Sequence, residues 1–170
     1  MRRLTDALRI AFLSLVVTAC GASDRTPSAS GGTRQAPAAA QAGNPCERKL
    51  VGEADVAGIM TSPVVKMEAL DGDPQSCVFS TALQSHITVM VRPGLGNVTV
   101  SAWEKGQMNV PATPMAGVGD RAVWQDMLNE VIATKNNVLC DISVMGPPGT
   151  AAPDAQTRLG KLCNTIFARQ

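Results

Sequence analysis

The chain has 170 residues, with 15 Lys and Arg against 14 Asp and Glu and a formal charge of +1, so it lacks the basic surplus that holds a nucleic-acid backbone or an anionic membrane face. It has two Trp, three Phe and no Tyr, which argues against carbohydrate platforms, base-stacking surfaces and cation cages, all of which lean on aromatic faces. Its core has to be built from Val, Leu, Ile, Met and Ala.

Arg2, Arg3 and Arg9 form a basic leader, and Ile10 to Ala19 is an uninterrupted run of apolar and small residues. The run has signal-peptide length and is shorter than the roughly 20 residues of a membrane span. It ends in Val17-Thr18-Ala19-Cys20, which resembles the lipobox of bacterial lipoproteins. That resemblance implies cleavage before Cys20, attachment of diacylglycerol to its thiol and acylation of its new amino group. At about 0.8 kcal/mol per buried methylene, two or three chains on one residue anchor a protein durably. Gly21 stands where an Asp would retain a lipoprotein at the inner membrane, and so resembles the outer-membrane sorting class. The expected location is the cell envelope, on the periplasmic side of the outer membrane if the host has two membranes.

Removing residues 1–19 would take away three arginines and Asp6 and leave the charge slightly negative. Residues 20–43 then comprise the lipidated Cys20 and a stretch of Ala, Gly, Ser, Pro, Thr, Gln and a few charges, which cannot bury enough apolar surface to offset its ordering entropy. This reads as a disordered tether. Residues 44–170 have the size of a single globular domain.

Within that domain, residues 52–60 have helical spacing (Val56, Ile59, Met60), with Glu53 and Asp55 in the first turn where the helix dipole favours acids. Pro63 stops the helix. Strands are expected at 64–69, 76–81 and 86–92, with a turn at 71–74. Residues 98–106 read as either strand or helix; by analogy with the first segment they are taken as a helix, followed by a loop at 110–119. Further strands are expected at 121–125, 130–135 and 138–145, with Asn136-Asn137 as a hairpin turn. Residues 154–168 carry Ala155, Leu159, Leu162 and Ile166 on one stripe, with Pro153 preset for the first turn. The predicted class is α+β: an antiparallel sheet packed with helices, in two similar α-β-β-β halves plus a C-terminal helix.

After Cys20, the remaining cysteines are Cys46, Cys77, Cys140 and Cys163. In an exported chain an even set is read first as disulfides. Three pairings are possible, of which Cys46–Cys77 with Cys140–Cys163 is favoured; each would contribute roughly 3 to 4 kcal/mol in the chain-entropy model. A metal site is disfavoured because no C-x-x-C or H-x-x-x-H spacing occurs and His86 is the only histidine. No cofactor is expected.

"NPCERKLVGEADVAGIM" (44–60), "SCVFS" (76–80) and "MAGVGDRAVW" (115–124) resemble segments of small bacterial lipoproteins classed as a domain of unknown function: a Pro-Cys at the end of a tether, an "aDVa" helix, a second cysteine in a strand and a "GvGD" turn. The resemblance implies that Cys46 pairs with Cys77, and it allows an α/β/α sandwich. It supplies no activity. In GVGD the glycines are read as serving an unusual turn with Asp120 capping it, and Trp124 as core.

No nucleophile–base constellation is legible: G-x-S-x-G and S-x-x-K are absent, and Gly94-Leu95-Gly96 is too short for a phosphate loop. Glu53 and Asp55 read as helix N-terminal residues, Asp71 and Asp73 as turn formers, Glu104 and Asp126 as solvated. A carboxylate pair assembled in space would leave little trace in spacing. The expectation is therefore not an enzyme but a binding module for an envelope protein or a small apolar ligand, presented by loops 70–75, 93–97 and 108–119. The alternative is an inhibitor of a secreted hydrolase, anchored by Met108 or Met115.

Overall fold

The computed structural model describes residues 43–170; the leader, Cys20 and nearly all of the tether lie outside the described residues. Seven strands, Val64–Leu70 (β1), Asp73–Thr81 (β2), His86–Pro93 (β3), Thr113–Met115 (β4), Arg121–Gln125 (β5), Glu130–Lys135 (β6) and Val138–Met145 (β7), form one antiparallel sheet in the order β1-β2-β3-β7-β6-β5-β4. Three helices accompany it: Glu53–Val56 (α1), Gly96–Glu104 (α2) and Ala155–Ala168 (α3).

Each half of the chain is a meander, and the two meanders meet through their last strands. β3 and β7 pair along their whole length, from His86 opposite Met145 to Pro93 opposite Val138. Both are β-rich runs whose alternate residues are buried, as a strand needs when it lies mid-sheet. The β6–β7 hairpin closes through Asn136 and Asn137 at φ +51° and +61°, the left-handed region that a two-residue hairpin turn demands and Asn tolerates.

Helices cover both faces. On one face Phe79, Ile87, Val89, Val131, Ile142 and Val144 meet α3 through Leu159, Leu162 and Ile166, with Val56 and Ile59 from the α1 segment joining the same core. Each such large side chain, fully buried, contributes about 1.5–3 kcal/mol. On the other face a smaller core of Val123, Ile132 and Leu139 is covered by Val100 of α2, with Met90 and Trp103 packed against it. Gly96 opens α2 at a point where a Cβ would collide with Thr134 Oγ1 and approach the Val138 carbonyl to 2.7 Å, so the helix start lies close against the sheet.

The α+β class, the antiparallel sheet and the C-terminal helix are as predicted, and α2 settles the ambiguous segment as helix. Several details differ. The helix expected over 52–60 is a single turn, because Ala57 leaves helical geometry at ψ 130° and Gly58 follows at φ +74°. The turn expected at 71–74 is tighter, since Asp73 and Pro74 already belong to β2. The loop expected at 110–119 contains β4. Pro153 precedes α3 rather than opening it, since Asp154 is the N-cap. The two helices read as equivalent openings, α1 and α2, lie on opposite faces, so the halves share a strand pattern and not a layer arrangement.

Candidate functional site

Cys46 lies beside Cys77 and Cys140 beside Cys163, with Cα–Cα distances of 5.9 and 5.8 Å and sequence separations of 31 and 23. This is disulfide spacing, in the pairing that was favoured. One bridge ties the entry of the chain to β2, and the other ties α3 to β7. Asn44 Nδ2 adds a hydrogen bond to the Ser76 carbonyl (2.8 Å) beside the first bridge. The predicted lipidation site, Cys20, is outside the described residues.

The loops expected to bind stand mainly at one end of the sheet, where 93–97 and the end of 108–119 are tied to the β6–β7 hairpin and to α3. The Gly94 and Gly96 amides donate to the Asn137 carbonyl (2.9 and 3.2 Å), and the Asn97 amide to Asn137 Oδ1 (3.0 Å). Asp120 does not cap its own turn: its Oδ2 accepts from the Asn136 amide (2.8 Å), while its own amide donates to the Thr134 carbonyl (2.7 Å). Gly119, at φ +56°, sits where a Cβ would strike that carbonyl. Asn164 ties α3 to the same turn through the Gly119 amide and the Gly117 carbonyl (2.9 and 2.8 Å). The loops here brace the scaffold.

The opposite end is different. The β2–β3 turn, the β5–β6 turn and the end of β7 come together there: Ser80, His86 and Met145 are successive cross-strand partners, and the Val144 amide donates to the Asn129 carbonyl (3.1 Å). Leu83, Met127, Leu128 and Met145 project from these three places at 66%, 80%, 44% and 48% exposure. Large apolar side chains gathered at one exposed end mark a contact surface more than scattered ones do, and methionine adapts to irregular partners. Sequence reading missed this end because each residue, taken alone, is an ordinary exposed apolar side chain. Of the anchors it named, Met108 is 48% exposed on the α2–β4 loop, while Met115 packs on the core. His86 is half-buried at the start of β3, and Trp124 is buried, its Nε1 donating to Asp126 Oδ1 (3.3 Å).

Three of the acids read as turn, cap or surface residues, Asp55, Asp73 and Glu104, hold cations. Asp55 accepts from both terminal nitrogens of Arg169 (2.6 and 2.9 Å), which holds its carboxyl below the ordinary range. Burial works to raise the Asp73 carboxyl, yet hydrogen bonds from Ser76 (2.8 Å), the Gln75 amide and Arg92 (2.6 Å) outweigh it and hold it low. Glu104 pairs with Arg121.

The exception is a carboxyl pair that spacing did not reveal. Asp141 of β7 and Glu130 of β6 lie diagonally on the face that α2 covers, their direct partners being Ile132 and Ser143. Burial, the neighbouring Glu130 charge and the hydrogen bond between the two raise the Asp141 carboxyl well above its ordinary value, against the pull of Arg92. Burial raises Glu130 as well, and its bond to Asp141 offsets part of that. Among the described residues, Glu130 Oε2, Gln125 Nε2 and Arg92 Nε are buried without a hydrogen-bond partner, and all three belong to this sheet face. Chemically the pair can hold a proton and release it as pH rises. An Asp inside the run Val138-Leu139-Cys140-Asp141-Ile142 was the available signal.

Among the described residues there is no group of three or more His, Cys, Asp or Glu placed to hold a metal ion, and no helix long and apolar enough to cross a membrane. No family model, curated protein or solved structure matches the chain.

Proposed function

We propose that this chain is a lipid-anchored envelope protein that acts as a non-catalytic binding module, and that it engages a partner protein through the Leu83–Met127–Leu128–Met145 end. The observation that carries the reading is that these four exposed apolar side chains lie on three separate chain segments at the same end of the sheet. A protein surface suits this end better than a small apolar ligand, because the space between α3 and the sheet is filled by side chains such as Phe79, Ile87, Leu159 and Ile166, none of them exposed. The lipobox-like Val17–Cys20 and the tether of residues 21–43 supply the anchor. The tether joins the domain at Asn44, beside Ser76, in the half of β2 away from the Leu83 turn.

A second reading, inhibition of a secreted hydrolase, is favoured by one feature of the same end. Met127, 80% exposed, sits on a turn held from below by the Gln125 side chain, itself 1% exposed, and by the Asn129 amide on the Asp126 carbonyl (3.2 Å). Such a preorganised tip loses little entropy on docking.

The test is a photo-crosslinking residue placed at Met127 in the full chain in its own cells, with Asn136 at the other end as control. A discrete protein adduct at Met127, absent at Asn136 and abolished by Leu83→Asp, is expected. An adduct with a hydrolase whose activity falls would select the inhibitor reading. Lipid adducts alone, or the same adducts from both ends, would remove the proposed function.

A further inference from the structure

The two edges of the sheet are unlike. β4 has three residues, and Pro114 at its centre has no amide to donate. β1 has seven residues, six of them exposed, and no proline. A long strand with one side unpaired is a template for another strand. In β1 the side chains restrict which strand fits.

Opposite β2 the register is regular from Lys66 to Ala69, with shifts at Val64/Lys66 and Ala69/Leu70. Suppose a second copy of β1 adds antiparallel across a two-fold axis, extending the sheet. Directly opposed residues must lie on the same face of the sheet, so the axis has to pass at the level of a residue and not between two. Centring on Met67 sets Lys66 opposite the second copy's Glu68, twice by symmetry, and Met67 opposite its own copy. Centring on Glu68 sets Glu68 against Glu68, and centring on Lys66 sets Lys66 against Lys66. Opposite charges across strands attract and like charges repel, so only the first of these three registers is favoured.

The groups are available for this. Lys66 and Glu68 have side chains 63% and 46% exposed, and Lys66 Nζ reaches Glu68 along its own strand at 2.7 Å, so the two-fold would close a square of alternating charges. Met67, cross-strand from the buried Phe79 but itself 43% exposed, would gain an apolar partner. The short, proline-bearing β4 edge offers no way for the sheet to grow further, so the assembly closes at two.

We propose that β1 is a homodimer edge, pairing antiparallel with β1 of a second copy about a two-fold axis at Met67. The partner is this chain itself, recognised by the Lys66/Glu68 alternation. The surface is separate from the Leu83–Met127 end.

The test uses the full chain carrying Cys20→Ser, so that the paired cysteines are the only others. Sedimentation should show a monomer–dimer equilibrium. Lys66→Glu and Glu68→Lys should each weaken self-association about tenfold, because each places like charges opposite at both symmetric positions. Mixing the two variants should restore association as a heterodimer, which repair of a contact within one strand cannot do. Met67→Cys should crosslink to itself on oxidation, and Pro114→Cys should not. A chain that stays monomeric up to about 1 mM, a dimer indifferent to both charge reversals, a mixture no tighter than its parents, or Met67→Cys crosslinking to a different protein would each overturn the proposal.

Discussion

Glu130 and Asp141 face each other diagonally across the β6–β7 ladder and share a hydrogen bond. Two ionised carboxylates have no hydrogen to share, so one proton between them is the state that suits this site, where burial is the first cause that raises both carboxyls. A group whose folded pKa lies above its unfolded value binds more protons when folded, so stability falls as pH rises from the ordinary carboxylate range through the folded value.

Asp141→Asn is therefore expected to stabilise the protein near neutrality by about 1–3 kcal/mol, since the amide removes a buried charge and can donate to Glu130. The gain should shrink as pH falls toward the ordinary carboxylate range, where the native pair takes up its proton. Urea titrations of both forms at pH 5 and pH 8 measure this. A variant less stable than the parent at both values would refute the shared-proton account.

Below that range the opposite group of acids takes over. Asp55 and Asp73 are held low by Arg169, Ser76 and Arg92, so the stability they contribute is present above the ordinary carboxylate pKa and is lost as pH falls through their folded values. Stability should peak in mild acid. Arg169→Ala should flatten the acid limb and lower stability only slightly near neutrality, with amide exchange near Leu50 accelerating because Arg169 also donates to the Leu50 carbonyl (2.9 Å). An unchanged acid limb would show that Asp55 does not depend on this clasp.

Removing the second bridge with Cys140→Ala and Cys163→Ala should cost about 3 kcal/mol, the loop-closure entropy appropriate to its 23-residue separation. Non-reducing peptide mapping of the parent should recover Cys46 with Cys77 and Cys140 with Cys163. A different linkage would contradict the placement of α3 on β7.

Gly119→Ala should destabilise by about 1–3 kcal/mol, because φ is +56° and the new Cβ would meet the Thr134 carbonyl. Gly117→Ala, also at positive φ (+76°) but in open space, should cost less. Thermal melts of the pair separate close approach from backbone strain, and equal costs would leave the Thr134 contact without weight.

For the anchor, Cys20→Ser should move the protein from membranes into the soluble envelope fraction. Intact mass should show fatty acyl chains on the parent alone. Continued sedimentation of the variant with membranes would argue against lipidation at this residue.

What could be read from residue order was what depends on near neighbours. The bounds of β6 and β7 follow from runs rich in β-branched residues set off by turns, and the Asn136-Asn137 hairpin from the tolerance of Asn for positive φ. The α3 stripe from Ala155 to Ile166 follows from the 3.6-residue period. The lipobox-like stretch points to an address for the same reason, as a contiguous signal. The favoured cysteine pairing drew on short loop closure and is the one found.

The tertiary structure decided what depends on pairing between distant segments. That β3 joins β7, that α2 takes the face opposite α3, and that the α1 helix ends after one turn depend on contacts between residues tens of positions apart. Sequence spacing does not encode the energies of those contacts. The same holds for the candidate sites: Leu83, Met127, Leu128 and Met145 reach one end of the sheet, and Glu130 and Asp141 become diagonal neighbours, only when the antiparallel ladder brings their strand ends and diagonals together.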